Sequence, residues 1–136
     1  MIVADTNVIS YLLIEGERTL AAEQVWEQDP HWQMPTLWRS EFLNVLTTAV
    51  KRGTLTEQLA FSIWWKACEL LPRTDRDPRG EEVLRIAIDR GISAYDAHFM
   101  ALALDLGVPL VSADRDMIRR CPDVAMSIEG FIQSEG

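Results

Sequence analysis

Two cysteines in 136 residues leave this chain little for a disulfide framework. Cys68 and Cys121 are far apart and fit no CxxC or other zinc spacing. They read as free thiols in a reducing compartment, so a cytoplasmic protein is expected. No apolar run approaches the roughly 20 residues of a membrane span. Met1 to Asp5 has no basic n-region of the kind a signal peptide carries. Internal repeats and low-complexity segments are absent. Positive charge is also scarce: 13 Lys and Arg stand against 21 Asp and Glu, a net charge of −8. That balance counts against nucleic-acid binding, which draws on Lys and Arg for phosphate contacts. Two features offset it. The basic residues are almost all arginine, which suits bidentate phosphate contacts, and divalent cations bound among the acids would neutralise part of the cluster.

What is present is the composition of an ordinary globular protein, 48% apolar and 25% charged. The length predicts one domain over residues 1–136. Its first line, Met1-Ile2-Val3-Ala4-Asp5-Thr6-Asn7, sets the pattern. A short apolar run ends in an acid, followed at once by hydroxyl and amide side chains. That reads as a buried strand delivering a carboxylate to the sheet edge, with Asn7 or Thr6 capping the helix Val8 to Leu13. Glu17 to Glu27 has helical spacing, and Asp29-Pro30 stops it. His31 to Met34 is a short strand. Thr36 to Arg52 is the clearest helix, with Trp38, Phe42, Val45, Leu46 and Ala49 on one stripe. Thr56 caps a helix over Glu57 to Leu70, and Leu70 to Arg73 reads as a stunted edge strand.

Thr74 to Gly80 is a polar loop. Helices follow over Glu81 to Arg90 and, from Ser93, over Ala94 to Leu106. Pro109 to Ser112 is a strand, Asp116 to Arg120 a short helix and Val124 to Ser127 a last strand. Strands alternating with helices predict βαβ units, hence an α/β fold with a parallel sheet.

Asp5 and Asp114 each follow an apolar strand, so a parallel sheet releases both at the same edge. Asp96 lies in the first turn of its helix and Glu41 one turn after the second strand, so all four acids can converge there. Close carboxylates repel and take up protons, a cost that a hard divalent cation removes. Mg²⁺ and Mn²⁺ accept such oxygen donors, whereas the lack of His and Cys at these positions disfavours zinc. Ions of this kind activate water and stabilise both oxygens of a phosphoryl displacement. Each acid also has a plainer role open to it. Asp5 suits a helix cap, Asp96 a capping box with Ser93, Glu41 a solvated helix face, and Asp114 a turn, with Asp116 a cap of the next helix.

The ordered set Asp5-Thr6-Asn7, Glu41, Ser93-Ala94-Tyr95-Asp96-Ala97 and Ser112-Ala113-Asp114 resembles a PIN domain, and the resemblance covers nearly the whole chain. At this length it most resembles the VapC-type toxins of bacterial toxin–antitoxin pairs. The resemblance implies a three-layer α/β/α fold with a five-stranded parallel sheet. It also implies a Mg²⁺- or Mn²⁺-dependent endoribonuclease acting on RNA, a homodimer, and inhibition by a small antitoxin. Carried over by position, Asp5, Asp96 and Asp114 hold the metal. Glu41 completes the cluster and helps place the attacking water, while Asn7 and Ser112 orient the acids by hydrogen bonds.

Two rival readings share these residues. A haloacid-dehalogenase-like phosphatase would use Asp5 as nucleophile, but its second Asp, two residues on, is Asn7 here. A PIN scaffold acting by binding alone keeps the same acids. Outside the acid set, His98 lies two positions from Asp96 and is expected to point elsewhere. Trp64 and Trp65 are about 100° apart on a helix, so one of them is a candidate anchor for a dimer or antitoxin face. Arg39 and Arg115 are the nearest candidates for phosphate contact.

Overall fold

The computed structural model describes residues 1–134. Its elements are β1 (Ile2–Ala4), α1 (Thr6–Leu13), α2 (Thr19–Gln28), β2 (Trp32–Gln33), α3 (Trp38–Lys51) and α4 (Glu57–Leu70). They continue with α5 (Gly80–Arg90), α6 (Ala94–Leu106), β3 (Leu110–Ser112), α7 (Arg115–Arg120), β4 (Ala125–Ser127) and α8 (Ile128–Ser134). The strands form one parallel sheet in the order β2-β1-β3-β4. Val3 sits opposite Gln33 on one side and Leu110 on the other, and Ala4 sits opposite Val111.

Every residue of β1 and β3 is buried. Successive strand residues point to opposite faces, so both faces are covered, as a parallel sheet requires. Helices α1 to α4 and α8 form one connected set through α1–α2, α1–α3, α3–α4 and α2–α8 packing. Helices α5 and α6 pack on each other, around Val83, Ala97 and Ala101, and α6 also meets β1 and β3. Trp32, Trp38, Phe42 and Phe99 are the largest fully buried side chains of the core.

The sheet has four strands among the described residues, where five were expected. The missing strand is the stunted one at Leu70 to Arg73. Helix α4 runs through Leu70, and Leu71 caps it. Pro72 then has no N–H to give to a ladder. Only a single parallel bridge is left, between Met34 and Asp75, with Met34 N–H donating to Thr74 O and Arg76 N–H to Met34 O. Helix α8 was not foreseen. It holds Gly130, a weak helix former, but its Ile128 and Phe131 are buried and Ser127 Oγ accepts from Gly130 N–H at 2.9 Å. Its stability comes from packing on α2 and the sheet rather than from propensity. Gly91 and Gly107 end α5 and α6 with φ of 65° and 68°, the left-handed position that favours glycine.

Candidate functional site

The chain leaves β1 in the middle of the sheet, travels outward to β2, and later returns to β3 on β1's other side. This reversal makes a crevice at the carboxyl ends of β1 and β3, the place where open α/β sheets bind ligands. Asp5 and Asp114 emerge there. Asp5 is pinned to the neighbouring strand by its own N–H, which donates to Val111 O at 3.0 Å.

Asp5 caps α1, the plainer role open to it, and Asn7 and Thr6, the other candidates, do not. Its Oδ1 accepts from Thr6 N–H at 2.8 Å. The correction has a geometric cause. The chain turns into α1 directly after the last strand residue, so the first extended residue with a side-chain acceptor is the acid itself. Asp5 Oδ2 is held by two further donors, Ser112 Oγ at 2.7 Å and Asn7 Nδ2 at 3.3 Å. Those two side chains also work in the other direction. Ser112 Oγ accepts from Asp114 N–H at 3.0 Å, and Asn7 Oδ1 accepts from Ala113 N–H at 3.2 Å. One serine and one asparagine therefore stitch the end of β1 to the end of β3.

Asp114 in turn caps α7, its Oδ1 accepting from Asp116 N–H at 2.9 Å and Met117 N–H at 3.3 Å. Asp96 stands in the first turn of α6, where Ser93 Oγ accepts its N–H at 3.0 Å. Glu41, in the first turn of α3, accepts from Thr6 Oγ1 at 2.6 Å. Thr6 is the residue that sequence reasoning undervalued. The sequence offers it as a helix cap, and in the fold it ties Glu41 to the β1–α1 junction.

Asp5, Glu41, Asp96 and Asp114 all line one cleft of about 480 Å³. Local capping and membership of the cleft are thus compatible for Asp5 and Asp114, while Ser93 caps α6 and Asp96 stands in its first turn. Among the described residues, no three His, Cys, Asp or Glu side chains already stand as a closed ligand set. The four share a cleft; the carboxylates of Asp5, Glu41 and Asp114 are each held by hydrogen bonds, and Asp96 is held through its backbone N–H.

The electrostatics fit a cluster of acids short of positive charge. Burial pushes the Asp5 carboxyl up from 3.8 to about 6, against the pull of the Ser112 and Thr6 hydrogen bonds and with help from the Asp96 and Glu41 charges. Burial also raises Glu41; the Thr6 hydrogen bond opposes this, the charge of Asp96 adds to it, and His98 lowers it. Asp96 is raised first by burial and then by the charge of Asp114. Three carboxyls in one cleft are thus each raised by burial and by the charge of a neighbouring acid. The oxygen donors and the absence of Cys and His from the cleft lining suit Mg²⁺ or Mn²⁺ rather than zinc.

Other candidates sort differently. Arg39 is occupied: it pairs with Asp75 at 2.9 Å and lies over the Trp38 ring. Arg119 and Arg120 both pair with Asp116, which is exposed and held below the usual carboxylate range by those contacts. Arg115 is exposed beside Asp114. His98 makes a 2.6 Å contact from Nδ1 to Ala94 O. It lies outside the cleft lining but near enough to Glu41 to favour its charged form. Trp64 packs against the core and its ring lies 6.2 Å from that of Trp38, whereas Trp65 is 63% exposed. Among the described residues, no helix is long and apolar enough to cross a membrane.

Comparisons with known proteins agree with this architecture. The chain is 27% identical over 124 residues to Ribonuclease VapC3 of Pyrobaculum aerophilum, spanning 89% of this chain and 95% of that one. It is 41% identical over 44 residues to Exonuclease VapC9 of the same organism, about a third of either chain. The solved structure of PAE2754, also from Pyrobaculum aerophilum, superposes with a TM-score of 0.77 over 98% of this chain and 94% of that one. At 21% identity, that likeness speaks for the fold. The PIN domain model matches residues 2–122. With that match covering most of its length, the chain belongs to the PIN domain family.

Proposed function

We propose that this protein is a Mg²⁺- or Mn²⁺-dependent endoribonuclease, the toxin member of a toxin–antitoxin pair. It would act in the cytoplasm as a single PIN unit over residues 1–136, in a homodimer restrained by a small antitoxin. The observation that carries the reading is the convergence of Asp5, Glu41, Asp96 and Asp114 on one cleft at the sheet's switch point. The two curated relatives support it, being named a ribonuclease and an exonuclease.

In this reading Asp5, Asp96 and Asp114 hold the cation, and Glu41 completes the set. Bound there, a hard divalent ion supplies charge neutralisation at the scissile phosphate and an acidified water. The chain's own groups do the rest. Ser112 and Asn7 fix the Asp5 carboxylate against rotation. Thr6 holds one oxygen of Glu41, so the carboxylate is positioned to accept a hydrogen bond from the attacking water. Water then displaces the ester oxygen with no covalent bond to the enzyme.

Partner contact falls to α4. Phe61 and Trp65 are exposed on it, and an apolar groove of about 340 Å³ between α3 and α4 is lined by Leu43, Phe61 and Trp64. A monomer seldom leaves such apolar surface uncovered without a use for it.

The test is cleavage of single-stranded RNA in Mg²⁺ or Mn²⁺. Cleavage should stop with EDTA and in Asp5→Ala and Asp96→Asn variants that retain their fold. Cleavage that persists in both variants would overturn the proposal.

A further inference from the structure

The cleft is longer than its acid end. One helical turn past Asn7 on α1 and past Glu41 on α3, the lining changes to Ser10, Tyr11, Asn44 and Val45. At 1.5 Å rise per residue a turn is about 5.4 Å, so this neutral end lies roughly one turn away from the carboxylates. Among the described residues, Tyr11 is the one aromatic side chain in the lining.

Tyr11 is half-buried and packs against the core. The Arg18 guanidinium lies over its ring, 5.4 Å from the centroid, and Arg18 is fixed in turn by Glu129 of α8 at 2.8 Å. The Arg18 Nε is buried without a hydrogen-bond partner, which points to a guanidinium placed for the ring face as well as for the ion pair. Ser10 spends its hydroxyl on Thr6 O at 3.0 Å. Asn44 is exposed on α3 and carries both a donor and an acceptor.

The lining at this end offers a phosphate no Lys or Arg. It suits a planar, uncharged group. We propose that the α1–α3 end of the cleft is a nucleobase subsite, with Tyr11 as the stacking platform and Asn44 as the reader of the base edge. The inference rests on the ribonuclease reading and adds to it: the acid end handles the backbone, and the neutral end selects the nucleotide beside the cut. Stacking on aromatic rings with hydrogen bonds to exposed base edges is how proteins read single-stranded RNA.

The probe is a set of short single-stranded RNAs carrying 5-iodouridine at successive positions, photocrosslinked to the intact protein in Ca²⁺ and mapped by mass spectrometry. Cleavage of the same RNAs without iodine is followed in Mg²⁺. Cross-linking should fall on Tyr11 from one position next to the cleavage site. Tyr11→Ala should raise KM roughly 10- to 100-fold, the effect of losing one stacked base, and Tyr11→Phe should restore it. Asn44→Ala should leave kcat on the best site within a few-fold and flatten the preference among sites. If the wild type cleaves RNA while Tyr11 takes no cross-link and both alanine variants keep KM and site preference, the subsite is wrong and the nuclease reading stands. If the wild type neither binds nor cleaves any of the RNAs, both fall together.

Discussion

Ser112 Oγ lies 2.7 Å from Asp5 Oδ2 and donates to it, across 107 positions of sequence. The same oxygen receives Asp114 N–H. One hydroxyl thus sets the orientation of one acid and the backbone of another. In Ser112→Ala, Asp5 loses a charge-assisted hydrogen bond inside the protein, and its pKa rises further because that bond is one of the influences lowering it. The expected cost is about 1–3 kcal/mol in chemical denaturation at pH 7. RNA cleavage should fall roughly 10- to 100-fold, the range for loss of a group that orients a ligand.

Thr6→Val tests the second positioning contact with almost no change in volume. Glu41 loses the hydroxyl 2.6 Å from its Oε1 and with it an influence that lowers its pKa. The acidic limb of the pH–rate profile should move to higher pH. Maximal cleavage should drop about tenfold, with denaturation midpoints nearly unchanged.

Asp5 makes the metal-free fold sensitive to pH in a defined direction. Its folded pKa is raised from 3.8 to about 6, so the folded state favours the protonated form. The stability from this group is complete below about pH 4 and is lost as pH rises through 6. The displacement is worth up to roughly 3 kcal/mol. Asp5→Asn, which cannot ionise, should therefore match or exceed the wild type in stability at pH 7 in EDTA, and the advantage should vanish near pH 4. Urea melts of the two proteins at both pH values check the sign. A variant less stable than wild type at pH 7 by more than its deficit at pH 4 would reverse it.

Helix α4 gives a prediction about assembly. Phe61 and Trp65 are 66% and 63% exposed, and neither is needed to hold the core together. The double substitution Phe61→Ser, Trp65→Ser should leave thermal stability of the monomer within about 0.5 kcal/mol. It should weaken self-association or antitoxin binding at least tenfold by sedimentation and titration calorimetry. Unchanged values for both associations would remove α4 from the partner surface.

Much of this molecule was legible from periodicity and punctuation. The stripe from Trp38 to Leu46 and the caps Thr56 and Ser93 are local signals, and the elements they mark form where expected. The placement of acids after β1 and β3 was readable for the same reason: a strand that is buried on both faces must end before a charge. Most of what escaped depends on contacts remote in sequence. Leu70 and Leu71 suit a buried strand, but α4 runs through Leu70 and is capped by Leu71, and Pro72 removes a ladder donor. Helix α8 exists through packing of Ile128 and Phe131. Thr6 and Tyr11 acquire their places only when α3 comes alongside α1. Arg39 looked free in the sequence and is tied to Asp75, 36 residues away.

The central claim is that four carboxylates from four separated segments bind one kind of cation together. Mn²⁺ binding, followed by electron paramagnetic resonance at pH 7, measures this without any RNA. Asp5→Asn, Glu41→Gln, Asp96→Asn and Asp114→Asn are compared with the wild type, each first shown to be folded. Saturable binding is expected for the wild type and at least about tenfold weaker binding for each variant, the effect of removing a ligand oxygen or its immediate support. Wild-type affinity retained in three of the four variants would contradict the claim.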